Sequence, residues 1–373
     1  MKHRVLINCA NLHSGGGVAV ATSFIDILSQ LQFHAYEIHL LLSTSVHRNL
    51  RQMNTNYDVF SSCSVVDFFG VSALWKGLGK RLSQFDLVFT VFGPAYVLFP
   101  KAKHIVGFAQ PNIIYPDSIV YRKSSLLSRL ITRLKYKIQE FFFTRADIII
   151  VELEHVKVGL SKISVFRDLP IYIVYSSVHS IYQSPKSWAP LDLAVNSPNL
   201  RLGIISRNYP HKNLRILSDV KKRLLEKHNR IVDFYVTFQP DEWVSCDDVF
   251  RNHIINVGGL TLSQCPTFYN AMDGVIFPSL LECFSAVPIE AMMMQKPLFA
   301  SRLPFIRDVC DGNCSYFDPL DASDIARTIH EFFDQPDLLQ RDSTDAAYEF
   351  VQKYPSPVAR AKSYMSIIDK ALA

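Results

Sequence analysis

Residues 273–302, DGVIFPSLLECFSAVPIEAMMMQKPLFASR, decide the fold. Their order of residue types predicts strand, loop, helix, strand. Residues 275–277 are a short apolar run closed by Pro278, the pattern of a buried strand reaching its end. Residues 279–284 form the loop. Ser285 is suited to N-cap a helix, and Pro288 stands in the first turn, where a missing N–H costs nothing. Residues 286–294 read as that helix, Lys296-Pro297 stops it, and residues 298–300 are the next strand. The loop carries Glu282 and the helix carries Glu290, eight positions on. Open parallel sheets bind ligands at the carboxyl ends of their strands, where this loop lies. The helix N-terminus favours an anion such as phosphate. Taken alone, the pair is equally an amphipathic helix with two solvated glutamates.

At 373 residues the chain is long enough for two domains, and with 49% hydrophobic and 20% charged residues it is globular. A net charge of +5 is too modest to mark a nucleic-acid binder. The seven cysteines (9, 63, 246, 265, 283, 310 and 314) are odd in number and scattered, which argues against a disulfide framework. Cys310 and Cys314 are not a C-x-x-C, and no nearby histidine completes a zinc set. A reducing cytoplasm fits this usage. The start shows no signal peptide, and no window reaches about 18 uncharged apolar residues, so membrane contact is expected to be peripheral.

Residues 5–8 predict a first strand, the loop Asn11-Leu12-His13-Ser14-Gly15-Gly16-Gly17 follows, and residues 18–30 read as a helix. Backbone at Gly16 and Gly17 can approach a diphosphate closely, although a plain glycine turn has the same appearance. Apolar runs at 38–42, 64–67, 87–91, 104–107, 147–151 and 171–174 alternate with helical or polar stretches, the mark of a parallel sheet covered on both faces. Residues 122–145, RKSSLLSRLITRLKYKIQEFFFTR, hold seven lysines and arginines and one acid, Glu140. Leu126, Leu127, Leu130, Ile131, Leu134 and Ile138 make a helical apolar stripe. Such a helix, with Arg129, Arg133, Lys135 and Lys137, can lie on anionic lipid headgroups; the alternative is a stripe packed on the sheet under a solvated basic face.

Composition shifts to Ser, Pro and Asn over residues 176–199, which read as an interdomain linker. Residues 201–205 begin a second domain. Arg207 and Lys212 follow that strand, five positions apart, an arrangement that neutralises a diphosphate. Both sit on a polar loop, so removing either is expected to cost far more turnover than stability. Strands at 233–237, 255–257 and 274–277, a Gly258-Gly259 turn, a short helix and strand within 304–319, and helices at 322–334, 338–354 and 358–372 complete the chain.

Pro278-Ser279-Leu280-Leu281-Glu282-Cys283-Phe284-Ser285, then Glu290-Ala291-Met292, resembles the signature of the retaining glycosyltransferases called family 4 or group 1, with its E-x7-E carboxylate pair. Ser285 replaces the usual glycine. Arg207 to Asn213 is similar to that family's G-R-x-x-x-x-K-N loop, and Gly258 to its turn against the nucleobase. The resemblance is specific over residues 201–319 and weaker before them. It implies two Rossmann-like α/β domains with parallel sheets facing a central cleft, the GT-B architecture. The domains would be residues 1–180 on the acceptor side, a linker at 181–199, a nucleotide-sugar domain at 200–355, and a last helix at 356–373 crossing back to the first domain. It further implies transfer of a hexosyl unit from a nucleotide-diphosphate sugar to a saccharide or lipid-linked acceptor, with retention and neither metal nor cofactor, in envelope polysaccharide synthesis. By this resemblance Arg207 and Lys212 stabilise the leaving diphosphate, Glu282 holds the donor sugar, and Glu290 holds the ribose. Gly16, Gly17, Gly258, Cys283, Phe284, Ser285 and Ala286 line the donor. Many family members carry a histidine where Ala109 stands here; Gln110 and His13 are candidates for its place, and His104 lies too early. The implied location is cytoplasmic, at the inner face of the plasma membrane. Two other readings stay open: a GT-B nucleotide-sugar epimerase or phosphorylase, and a non-catalytic membrane-surface protein using the basic helix.

Overall fold

The computed structural model describes residues 2–32, 35–121, 125–193 and 198–373. Arg122 and Lys123 of the basic stretch, and residues 194–197 of the linker, lie outside them. The chain divides into two compact units. The first takes residues 2–117, 125–177 and 355–373, and the second takes the remainder.

The sheet of the first unit is made of β1 (His3–Cys9), β2 (Tyr36–Leu42), β3 (Ser62–Val65), β4 (Leu87–Thr90), β5 (Lys103–Gly107), β6 (Ile148–Val151) and β7 (Ile171–Ile173), in the order β3-β2-β1-β4-β5-β6-β7. Its pairings are all parallel. A parallel sheet is buried on both faces, and so β4 and β6 are buried along their whole length. The helices here are α1 (Gly16–Leu28), α2 (Thr44–Gln52), α3 (Leu78–Leu82), α4 (Pro111–Ile114), α5 (Leu126–Phe143) and α6 (Glu154–Ser161). The chain's last helix, Pro357–Leu372, also belongs to this unit. Its Ala361, Tyr364, Ile367, Ile368 and Ala371 enter the core beside α1, where Phe24 and Tyr364 meet edge to face at 5.0 Å.

The second unit carries β8 (Leu200–Ile204), β9 (Val232–Val236), β10 (Ile254–Asn256), β11 (Gly274–Phe277), β12 (Leu298–Ser301) and β13 (Ser315–Phe317). They are ordered β10-β9-β8-β11-β12-β13, again all parallel. Its helices are α7 (Ile216–His228), α8 (Pro240–Val244), α9 (Asp248–His253), α10 (Cys265–Ala271), α11 (Ala286–Met293), α12 (Pro304–Cys310), α13 (Ala322–Phe333) and α14 (Asp337–Val351). The last helix, Pro357–Leu372, is then α15. The strand order reverses between β8 and β11. A crevice opens at such a switch point, because the loops after the two central strands leave to opposite faces. The loop after β8 holds Arg207 and Lys212; the loop after β11 holds Glu282.

One local expectation is corrected, and one of two alternatives is removed. Ser285 stands at the N-cap of α11 with extended backbone, but its hydroxyl makes no capping bond. The helix is held instead by its apolar face, with Val287, Pro288, Ile289, Ala291, Met292 and Met293 buried. Each large side chain so buried contributes roughly 1.5–3 kcal/mol. The apolar stripe of α5 does not pack on the sheet: Leu126, Leu127, Leu130, Ile131 and Leu134 are 81, 67, 64, 60 and 61% exposed. Only Phe142 and Phe143, at the C-terminal end of α5, are buried.

Candidate functional site

The loop after β8 is built for a fixed geometry. Ser206 donates its N–H to Thr237 Oγ1 at 3.0 Å. A short 3-10 turn follows, Pro210–Lys212, and ends at Asn213 in the left-handed region with φ 55°. Asparagine tolerates that conformation better than most residues, and here its side chain donates to the Pro319 carbonyl at 2.7 Å. The loop after β11 is tied to it directly, since Leu280 donates its N–H to the His211 carbonyl at 2.7 Å.

This junction brings Lys212 and Glu282 together. Lys212 Nζ stands 2.6 Å from Glu282 Oε1, with the two side chains only 14 and 11% exposed. Ser279 Oγ donates to the same carboxylate oxygen at 3.0 Å, and His211 Nε2 lies 3.9 Å from it. The ammonium also sits 5.4 Å from the centre of the Phe277 ring. Burial holds the His211 imidazole below its ordinary pKa, against the pull of Glu282. A compact charged cluster therefore lies at the switch point, and an ammonium keeps three donors, so Lys212 can serve Glu282 and an anion together.

Arg207 takes another partner. Glu242 of α8 accepts from its Nε at 2.8 Å and from the Asn208 N–H at 3.2 Å. That hydrogen bond raises the arginine's already high pKa. The terminal nitrogens of the guanidinium, with no hydrogen-bond partner among the described residues, remain for a ligand. Glu242 is itself positioned by a capping box with Gln239. The Gly258-Gly259 turn packs on this box: a Cβ at Gly259 would fall 1.9 Å from Gln239 Nε2, and Gly258 has φ +82°. Gly258 thus demands glycine for its backbone, whereas a Cβ at Gly259 would displace the flexible end of the Gln239 side chain from the box.

Glu290 sits in a third setting. Tyr269 of α10 donates to its Oε2 at 2.8 Å, and Tyr182 is hydrogen-bonded to the same carboxylate. Burial raises the Glu290 pKa and the two tyrosines oppose that rise. The solvated-glutamate alternative therefore fails for both carboxylates. Cys283 is buried, while Phe284 and Ser285 are partly exposed and Ala286 is open at the start of α11. Ser279, Glu242, Tyr269 and Tyr182 were missed by sequence reasoning; only Ser279, inside the Pro278-Ser279 signature, carried a signal.

In the first unit the glycine loop precedes α1. The left-handed residue is Gly15, at φ 74°, with Gly16 and Gly17 opening the helix itself. Asn11 joins this loop to the one after β4 through a 2.8 Å bond to the Phe92 carbonyl. His13 is held by its own unit: Nε2 lies 2.9 Å from the Phe68 carbonyl, Nδ1 3.3 Å from Asp67, and the ring stacks on Phe69. Gln110 stands at the N-cap position of α4 without a side-chain capping bond and is partly exposed, beside an exposed Ala109. His104 is a core residue, 3.0 Å from Thr90 Oγ1. On α5, Arg133 pairs with Asp117 at 2.7 Å and Lys137 with Glu140 at 2.9 Å.

Two parallel α/β units of this topology define the GT-B class. The chain superposes over 100% of its length on a glycosyltransferase from Rickettsia africae, with 99% of that chain covered, TM-score 0.70 and 17% identity. It matches Anabaena HepE in complex with UDP and glucose over 99% of this chain and 100% of that one, with TM-score 0.70 and 14% identity. Residues 199–335 match the family model described as glycosyl transferases group 1. That match lies within the second unit, over the segment that carries Arg207, Lys212, Glu282 and Glu290. A curated relative, the O-antigen chain mannosyltransferase RfbU of Salmonella typhimurium, is 22% identical over 243 residues, 63% of this chain and 62% of that protein's length.

Proposed function

We propose that the protein transfers a hexosyl unit from a nucleotide-diphosphate sugar to a hydroxyl of a saccharide or lipid-linked acceptor, with retention and without a metal, in envelope polysaccharide synthesis. The observation that carries this is the Lys212–Glu282 pair at the β8/β11 switch point, with Arg207 on the same loop after β8. Two cations beside a carboxylate suit a sugar diphosphate: Arg207 and Lys212 take the charge that develops on the leaving diphosphate, and Glu282 accepts from sugar hydroxyls. The bond from the anomeric carbon to the phosphate oxygen breaks, and the acceptor oxygen forms its bond on the same face. The acceptor proton passes to the departing phosphate, so no nucleophilic side chain is needed. HepE, whose structures hold UDP, UDP-glucose and UDP with glucose, and RfbU, named a mannosyltransferase of the O-antigen chain, support this reading.

The protein works, in this reading, as a peripheral protein on the cytoplasmic face of an anionic membrane. No helix among the described residues is long and apolar enough to cross a membrane. Helix α5 instead presents an uncovered apolar stripe with Arg129 and Lys135 on the same element. An amphipathic basic helix of this kind lies in the headgroup region.

The test compares Glu282→Gln with Glu290→Gln. Loss of the ribose contact should weaken free nucleotide diphosphate and whole donor alike. Loss of the sugar contact should spare nucleotide affinity and depress transfer. A hydrogen bond to a charged group is worth about 1.5–3 kcal/mol, so each effect is measurable. If both variants match wild type in affinity and turnover, the donor reading is wrong. Release of an altered nucleotide sugar without acceptor would identify an epimerase.

A further inference from the structure

Outside the charged cluster, a second buried polar arrangement of the second unit surrounds Glu290. Tyr269 is fully buried and Tyr182 nearly so, and their rings are 6.2 Å apart. Tyr182 belongs to the 3-10 turn Ser180–Gln183. That turn is fastened from several sides: Trp188 Nε1 donates to the Ile181 carbonyl at 2.8 Å, and Gln183 Nε2 reaches Met293 Sδ on α11 and Gln352.

We propose that Tyr269 and Tyr182 are positioning residues for donor binding, holding the Glu290 carboxylate so that it presents its remaining acceptor sites to the vicinal ribose hydroxyls. This rests on the reading that Glu290 binds the ribose. An ionised carboxylate offers about four lone-pair sites. Two tyrosine donors fill two, and a cis-diol needs the other two. A carboxylate so held pays little rotamer entropy on binding, and its ionised form is favoured by each donor. The titratable groups facing Glu290 are Tyr269 and Cys265 on α10 and Tyr182 on the turn. Burial pushes the Cys265 thiol to about 12 and both phenols well above their ordinary value. Burial moves the Glu290 carboxyl upward while the two tyrosine donors hold it down, so loss of either donor shifts its titration further up.

The experiment measures affinity for UDP, GDP and ADP by calorimetry from pH 5.5 to 8.5, using the full chain and whichever nucleotide binds best. Variants are Tyr269→Phe, Tyr182→Phe and Glu290→Gln, each checked for an unchanged unfolding midpoint within a few degrees. Each Phe variant should weaken binding about threefold to tenfold near neutrality, the worth of one hydrogen bond. The deficit should deepen toward pH 5.5 and shrink toward pH 8.5, since a carboxylate with fewer donors keeps its proton to higher pH. Glu290→Gln should bind weakly with no such pH dependence. If the Phe variants keep the wild-type affinity and pH profile while Glu290→Gln is weakened, the tyrosines only fill the core and the proposal falls. If Glu290→Gln binds as wild type, or no nucleotide binds, the ribose reading itself fails.

Discussion

Replacing Lys212 by methionine should cost both activity and stability, and the structure says how much of each. The sequence places Lys212 on a polar loop, from which a small packing loss is expected. The fold instead sets its ammonium 2.6 Å from Glu282 with both side chains largely covered. At an effective dielectric constant of about 20, unit charges at this separation attract by roughly 6 kcal/mol before desolvation. The measurable quantity is smaller. Removing one partner of a buried pair costs about 3–5 kcal/mol, mostly from the charge left behind. Ser279 still donates to Glu282 and some solvent reaches the site, so about 3 kcal/mol is expected here. The double variant Lys212→Met/Glu282→Gln removes the stranded charge and should recover about 1–2 kcal/mol of that loss. Arg207→Ala is the contrast. Its side chain is 41% exposed, so its pairing with Glu242 should contribute under about 1 kcal/mol to stability. Both Lys212→Met and Arg207→Ala should lower turnover roughly a hundredfold. Urea unfolding followed by circular dichroism reads the stability, and donor consumption reads the turnover. If Lys212→Met is as stable as wild type within about 0.5 kcal/mol and the double variant is no better, the pair is not formed in solution.

Two further outcomes are expected. Changing Arg129, Arg133, Lys135 and Lys137 to glutamine should weaken binding to anionic vesicles by up to about 1 kcal/mol each, less at Arg133 and Lys137 because Asp117 and Glu140 already pair with them. Salt should weaken the wild type likewise, while Leu127→Ser, Leu130→Ser and Leu134→Ser should remove the salt-resistant part; vesicle flotation indifferent to charge, salt and these serines alike would refute the surface. His104 is buried and its pKa is lowered from 6.5 to about 4, so stability is full above the unfolded value and is lost as pH falls from about 6.5 toward 4. Unfolding free energies of His104→Gln should lack that limb, about 3 kcal/mol in extent, and identical acid profiles for variant and wild type would contradict it.

Why some of this was legible in the sequence and some was not follows from the range of the interactions. Strand β11, the loop and α11 were readable within a residue or so because each is set by local rules: an apolar run, a proline, a lysine-proline stop. Lys212 and Glu282 were named from two separate loops, but their contact was not readable, since it depends on β8 and β11 being neighbours and on one backbone bond from Leu280 to His211. Glu242, Tyr269 and Tyr182 were invisible for the same reason: nothing in their local spacing marks a partner 21, 35 or 108 positions away. Helix α5 marks the opposite limit. Its periodicity fixed which residues share a face, and a period is the same whether that face meets a sheet or is left open. Only packing could decide, and it leaves Leu126 to Leu134 uncovered while Phe142 and Phe143 anchor the C-terminal end of the helix. An exposed apolar stripe next to basic side chains is the kind of surface that marks an interaction site, which is why the vesicle experiment is aimed at it.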